Sequence, residues 1–276
     1  MATPTSRTVN IHGVILSSLT ILTIWIWGLA SVLFFMRWNS VERPAPPIRE
    51  IFPYGVMRVG VDASLPPFAV ATSDDLFGLD IDIAKEIGKR LNIPVQFINM
   101  GYDGLYDSLR ADQVDVVIST LIIDPARTAE VRYSEPYFNA GLLLVSPSNA
   151  PLTAMDMVSG KHLAYEFGAA ADSEARLWLR RIPPFILMPY ELPQYALDAV
   201  RLGEAEAALV DATSTLLYFS QHPDWNAYSV YVKDILYAVA VRADRFERWE
   251  VINNAIKAMK RDGTLEIIIN RWLQQP

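Results

Sequence analysis

From Val56 to the C-terminus, short apolar runs of strand type alternate with segments whose apolar residues recur at helical spacing. The run 56–61 (VMRVGV) is followed by a segment from Asp80 to Leu91, in which Ile81, Ala84, Ile87, Gly88 and Leu91 share one helical stripe. The runs 94–99 (PVQFIN) and 115–119 (DVVIS) flank a short helix that starts at Asp103. The pattern resumes with 142–146 (LLLVS), 161–166 (KHLAYE), helices near 170–181 and 193–203, and 207–210 (AALV). A long helix over 245–261 and a final helix ending at Trp272 are separated by Asp262-Gly263-Thr264. Strands alternating with helices predict an α/β fold with largely parallel sheet. In such sheets ligands sit beyond the carboxyl ends of the strands, which directs attention to the loops after 61, 119, 166 and 210.

Before this pattern lies a run of another kind. Residues 14–36 carry no charge, and at 1.5 Å per residue they would make about 34 Å of helix, enough to cross a bilayer core of about 30 Å. A cleaved leader is the alternative, with Gly28-Leu29-Ala30 as a small-x-small site. The apolar stretch continues through Val32-Leu33-Phe34-Phe35, longer than a leader's usual core. The expectation is therefore a tail over 1–13, a single membrane anchor over 14–36 and a Pro-containing linker over 37–55, with the folded part on the extracytoplasmic side. Arg7 on one side and Arg37 and Arg43 on the other leave the orientation undecided by charge.

The formal net charge of −7 is unevenly distributed, since residues 1–56 are net positive and the remainder is strongly acidic. Nucleic acid and anionic lipid surfaces would find no positive field there. The chain has no cysteine, which excludes disulfides, thiol catalysis and a thioether-linked lipid anchor. Its three histidines, His12, His162 and His222, form no metal or catalytic spacing, and no nucleophile elbow or phosphate loop is present. No cofactor is expected.

The stretch from Ile118 to Arg127 (ISTLIIDPAR) carries the chemistry. A strand ends in Ser119 and Thr120; Asp124 then has the character of a helix N-cap and Pro125 that of the first helical position. Arg127 falls in the first turn, where a cation is out of place unless an anion is shared with the free backbone N–H groups. A carboxylate fits, held bidentately by the guanidinium with help from Thr120. The competing reading pairs Arg127 with Asp124, Glu130 or Glu135 and gives it no ligand.

Five pieces in order, 59–68 (VGVDASLPPF), 77–91 (FGLDIDIAKEIGKRL), 101–120 (GYDGLYDSLRADQVDVVIST), 123–127 (IDPAR) and 132–144 (RYSEPYFNAGLLL), resemble the first lobe of the extracellular solute-binding protein family 3, the polar amino-acid receptors of ABC importers. The resemblance continues through 203–213 (GEAEAALVDAT) and 261–272 (RDGTLEIIINRW). It implies a two-lobed type II periplasmic-binding-protein fold with a two-crossover hinge, lobe one over 56–140 plus 237–276 and lobe two over 141–236. It also implies a monomer, closing on a small amino-acid-like ligand and delivering it to ABC permease subunits, without catalysis. Residue by residue, Arg127 would hold the ligand α-carboxylate, with Thr120 and Ser119 beside it, and Asp211 would take the α-ammonium, although Asp211 also suits an N-cap for a helix from Ala212. Tyr102 would cover the ligand side chain, Leu65 stands where relatives often carry a second aromatic, and Asp62 would face the cleft or bond loop amides.

The sequence departs from the family at Ile122, Ala169 and Ala170, where relatives usually offer hydroxyls. Glu166 adds a carboxylate at a strand end, suited to a basic ligand side chain or to an ion pair with Lys161 or Arg176. Two other functions fit the resemblance: a sensing domain acting on a membrane partner, and a cyclohexadienyl-dehydratase-like enzyme with Glu166 as general acid.

Overall fold

The computed structural model describes residues 25, 27–32, 46–73 and 75–274. The chain divides into two compact units, 1–45 and 46–276. In the first, Trp25 and residues 27–32 are helical and exposed, and the Ser31 hydroxyl donates to the Trp27 carbonyl at 2.7 Å. The expected anchor over 14–36 otherwise lies outside the described residues. Among the described residues, no helix is long and apolar enough to cross a membrane.

The second unit begins inside the span expected for the linker. Helix α1 (Ile48–Ile51) seats Ile51 and Phe52, the latter fully buried, in the core of the first lobe. Burying two such side chains contributes about 3–6 kcal/mol, which explains why packed structure starts upstream of Val56. In chain order there follow β1 (Met57–Val61), β2 (Ser64–Leu65), β3 (Ala69–Ala71), β4 (Leu76–Phe77), α2 (Leu79–Leu91), β5 (Val95–Asn99), α3 (Leu105–Arg110), β6 (Val116–Val117), β7 (Val131–Tyr133) and β8 (Phe138–Asn139). Then come β9 (Leu142–Pro147), β10 (His162–Glu166), α4 (Ala170–Trp178), β11 (Ile186–Tyr190), α5 (Pro193–Arg201), β12 (Ala207–Asp211), α6 (Ala212–Gln221) and β13 (Ala227–Lys233). The chain ends with β14 (Leu236–Tyr237), β15 (Ala240–Arg242), α7 (Phe246–Arg261) and α8 (Thr264–Leu273).

These elements build two lobes, each around a five-stranded sheet, in the orders β5-β1-β6-β15-β7 and β11-β10-β12-β9-β13. In β12, Ala207 and Leu209 pack with Leu163 and Ala175 while Ala208 and Val210 pack with Leu197 and Val200, so the strand is buried on both faces. That is why it reads as a continuous apolar run. The expectation of largely parallel sheet holds for strand direction but not for pairing. Four strands of each sheet run one way, and the fifth, β15 or β9, arrives from the opposite lobe and runs antiparallel between two of them, which leaves two parallel and two antiparallel pairings in each sheet.

The crossovers lie at β8 and β14, which pair antiparallel, Leu236 with Asn139 and Tyr237 with Phe138. Asn139 ties them together: its amide donates to Asp234 at 2.8 Å, its Oδ1 accepts from the backbone N–H of Gly141 and Ile235, and its carbonyl accepts from the Tyr231 hydroxyl. A Cβ on Gly141 would lie 2.0 Å from the Lys233 carbonyl oxygen and 2.8 Å from Asn139 Oδ1. Gly141→Ala is therefore expected to force the two crossovers apart and cost about 1–3 kcal/mol, read as a lower thermal midpoint. An unchanged midpoint would show that these strands separate freely. The C-terminal helix returns to lobe one, where the Trp272 indole and Arg271 both donate to Asp82 on α2 at 2.9 Å.

Candidate functional site

The carboxyl ends of β1, β5 and β6 are fastened to one another by side chains. The Asp62 N–H donates to the Ser119 hydroxyl at 2.9 Å, Asp62 Oδ1 accepts from Ser64, and Asp62 Oδ2 accepts from the Tyr102 backbone N–H at 3.0 Å. Both carboxylate oxygens of Asp62 thus accept hydrogen bonds from the loops, the bonding that the second of its two sequence readings expects. Ser119 is buried behind it. Leu65 and Tyr102 are both exposed, at 39% and 37% of their surface.

Asp124 caps the turn that carries Arg127, its Oδ1 accepting from the Ala126 N–H at 2.9 Å with Pro125 at the first position. The turn is a single 3₁₀ turn, Pro125–Arg127, so the helix N-terminus expected there is absent and with it the dipole argument for an anion. Arg127 is oriented instead by an aromatic platform. Its guanidinium lies 4.2 Å from the ring centre of Tyr106, and the Tyr106 hydroxyl bonds the Tyr133 hydroxyl at 3.0 Å. Asp124 and Glu130 approach only to 3.7 and 3.6 Å, beyond hydrogen-bond range. The Arg127 side chain is about two-fifths exposed and makes no hydrogen bond among the described residues. Its positive charge favours the ionised forms of both Tyr102 and Tyr106, which places all three in one neighbourhood, although burial leaves both hydroxyls above the ordinary range.

In lobe two, β10 and β12 run parallel, with Tyr165 opposite Leu209, so Glu166 and Asp211 leave the same edge of the sheet. Asp211 Oδ1 accepts from the Ser214 N–H at 2.9 Å, the N-cap of α6, and its other oxygen makes no hydrogen bond among the described residues. Cap and ligand roles are therefore compatible. The ion pair foreseen for Glu166 is not formed: Arg176 pairs with Asp172 at 2.6 Å, and Glu166 has no cation partner among the described residues. Burial, then repulsion from Asp211, holds the Glu166 carboxyl above its usual range. Ala170 opens α4 after Ala169, and the absent hydroxyl is compensated from within the helix, since Asp172 Oδ2 accepts from the Gly168 N–H at 3.1 Å.

Two residues of this region escaped the sequence reading. Tyr106 lies four positions after Tyr102, a spacing that puts both on one helix face and could have flagged it. Tyr237, on the crossover strand β14, is pushed up to about 12 by burial and by the fields of Asp80, Tyr102 and Asp211. It stands where both lobes meet, and no motif marks it.

This arrangement agrees with the comparisons with known proteins. Residues 57–275 match the family of bacterial extracellular solute-binding proteins, family 3, and the chain belongs to that family. It is 28% identical to the ABC transporter arginine-binding protein 1 of Escherichia coli (strain K12), over 222 residues covering 78% of this chain and 90% of that one. Its fold is that of the L-cystine solute receptor of Neisseria gonorrhoeae in the unliganded open conformation, with TM-score 0.69 at 23% identity, covering 83% and 96% of the two chains. An ancestral cyclohexadienyl dehydratase has the same fold, with TM-score 0.67 at 24% identity over 84% of this chain and 98% of that one. The α/β two-lobed fold and an extracytoplasmic, amino-acid-binding family therefore stand.

Proposed function

We propose that this chain is the substrate-binding receptor of an ABC importer, closing by hinge motion on a small amino acid with a cationic side chain. The α-carboxylate would lie on Arg127 with Thr120 and Ser119 nearby, the α-ammonium on the open oxygen of Asp211, and the side-chain cation on Glu166. Tyr102 and Leu65 would cover the ligand's apolar stem. Lobe one would comprise 56–140 plus 237–276 and lobe two 141–236, with residues 14–36 as anchor and permease subunits as partners for the monomer.

The observation that carries this reading is complementary charge left unsatisfied on both lobes. Among the described residues, lobe one offers a guanidinium whose hydrogen-bond donors are idle, and lobe two offers two carboxylates, Glu166 and Asp211, without a cation. A zwitterion with an extra positive charge would satisfy all three, and each lobe would contribute to holding the cleft closed. The 28% identity to an arginine-binding protein supports the cationic class.

Calorimetric titration of the full-length chain with L-arginine, L-lysine, L-glutamine and L-cystine tests it. The two basic amino acids are expected to bind at least about tenfold more tightly than glutamine. Equal affinities would remove the role of Glu166. Incubation with prephenate or arogenate is expected to leave both unchanged, and product formation would establish a dehydratase instead.

A further inference from the structure

Asp80 is a buried carboxyl with no cation beside it among the described residues. It sits in the first turn of α2 at 1% exposure, and its Oδ2 accepts the Thr120 backbone N–H at 3.0 Å. The same N–H lies 3.1 Å from the hydroxyl of buried Tyr137. Asp80 Oδ1 has no hydrogen-bond partner among the described residues. Its near neighbour Asp82, by contrast, receives Arg271 and Trp272. The titratable groups that face Asp80 are Tyr137, from the segment before β8, and Tyr237, from β14. Burial pushes the Asp80 carboxyl up to about 7, against hydrogen bonds from the Tyr137 hydroxyl and the Thr120 amide that favour the charge. A carboxylate this poorly matched is costly to retain unless its position is needed.

What it holds is an unfavourable backbone. Thr120 has φ +48°, the left-handed region that a β-branched residue rarely adopts. The loop that follows is fastened at its far side to the crossover. Leu121 accepts from the Ala238 N–H at 3.0 Å, the Ile123 N–H donates to Leu236 at 3.0 Å, and Ile122 bridges Tyr237. Arg127 sits at the end of this loop. The crossover strand thus secures the loop from one side, and Asp80 with Tyr137 secures its start from the other.

We propose that Asp80 and Tyr137 are positioning residues of the ligand site, which hold Thr120 in its left-handed conformation and so preset the loop from Thr120 to Arg127 before ligand arrives. Ionised Asp80 is the stronger acceptor for the Thr120 N–H, so protonation loosens the hold. The linkage has the opposite sign for global stability. Because the folded carboxyl lies above its ordinary value of 3.8, its contribution is fully present at low pH and is lost as pH rises through about 7. Site order is thus bought at the expense of fold stability. The inference rests on the reading of Arg127 and Thr120 as the carboxylate end of the site.

The test follows the Thr120 amide by nuclear magnetic resonance in the full-length, ligand-free chain. Its shift is expected to titrate with a midpoint near 7 and to lose that titration in Asp80→Asn, which keeps an acceptor oxygen without the charge. In Asp80→Ala the amide is expected to exchange with solvent at least about tenfold faster, while lobe-two amides are unchanged. With L-arginine as probe, Asp80→Ala should lose about tenfold in affinity, and markedly less in a Thr120→Gly background, where the left-handed conformation needs no support. A Thr120 amide insensitive to pH between about 5.5 and 8.5 would overturn the proposal, and so would exchange unchanged in Asp80→Ala. Failure of the wild type to bind L-arginine would instead remove the ligand class, with the amide result still deciding the positioning role. If Asp80→Ala does not fold, the wild-type and Asp80→Asn titrations suffice.

Discussion

Replacing Arg127 by alanine is expected to abolish the thermal stabilisation produced by ligand and to leave the ligand-free midpoint nearly unchanged. The first half follows from what the guanidinium would do in the closed state. A carboxylate enclosed between two lobes and stripped of its cation costs about 2–5 kcal/mol, a loss of roughly thirtyfold to several thousandfold in affinity. At that loss, ligand at ordinary excess no longer shifts the unfolding equilibrium. The second half follows from what the guanidinium does in the open state. Its ion pairs to Asp124 and Glu130 are long and exposed, at 3.7 and 3.6 Å, and such pairs contribute about 0–1 kcal/mol. Its stacking on Tyr106 adds about 0.5–1 kcal/mol at an exposed site. A ligand-free midpoint that falls by more than those terms allow would assign Arg127 to the fold rather than to the ligand. Thermal melts with and without L-arginine, at one pH and salt concentration, separate the two outcomes.

What the sequence made legible follows from burial. Strands covered on both faces, such as β9 and β12, are continuous apolar runs and were read within a residue or two of their ends. Of the edge and short strands, only β5 and β6 are legible, as the runs 94–99 and 115–119. Strand β11 contains Pro189, which argues against a strand unless it lies at a sheet edge, and β11 is an edge strand. Strand β13, also at an edge, alternates only weakly between half-buried and exposed residues. The strands β7, β14 and β15 span three, two and three residues, too few for any periodicity. At the site, the chemistry of Asp124, Pro125 and Arg127 was readable, but the length of the turn was not, since nothing at the cap distinguishes one 3₁₀ turn from an α-helix. Tyr237 and the Asp80–Thr120 bond depend on tertiary neighbours far along the chain and no local pattern encodes them, while the Tyr106 platform beneath Arg127 is hinted at only by its four-residue spacing from Tyr102.

Glu166 should show the reverse balance between stability and binding. Its carboxyl is held above the ordinary range by burial and by Asp211, so the ligand-free fold disfavours the charge. A raised carboxylate contributes stability that is complete below its unfolded value and lost as pH rises through the folded one. Glu166→Gln removes that penalty, and the ligand-free midpoint at neutral pH is expected to rise slightly. Binding should change in the other direction and only for cations. An ammonium or guanidinium placed between Glu166 and Asp211 relieves their repulsion, so the wild type should gain affinity for L-arginine as pH rises through the Glu166 titration and release a proton on binding below its end. The glutamine variant should lose about ten- to a hundredfold toward L-arginine, the scale of one hydrogen bond to a charged group, and its pH profile should flatten. Affinity for L-glutamine, which brings no side-chain charge, should hardly move. Equal losses for both ligands would mean that Glu166 shapes the cleft without reading charge, and an unchanged profile for L-arginine would place the cation elsewhere, with Asp211, the carboxylate that repels Glu166, as the next candidate.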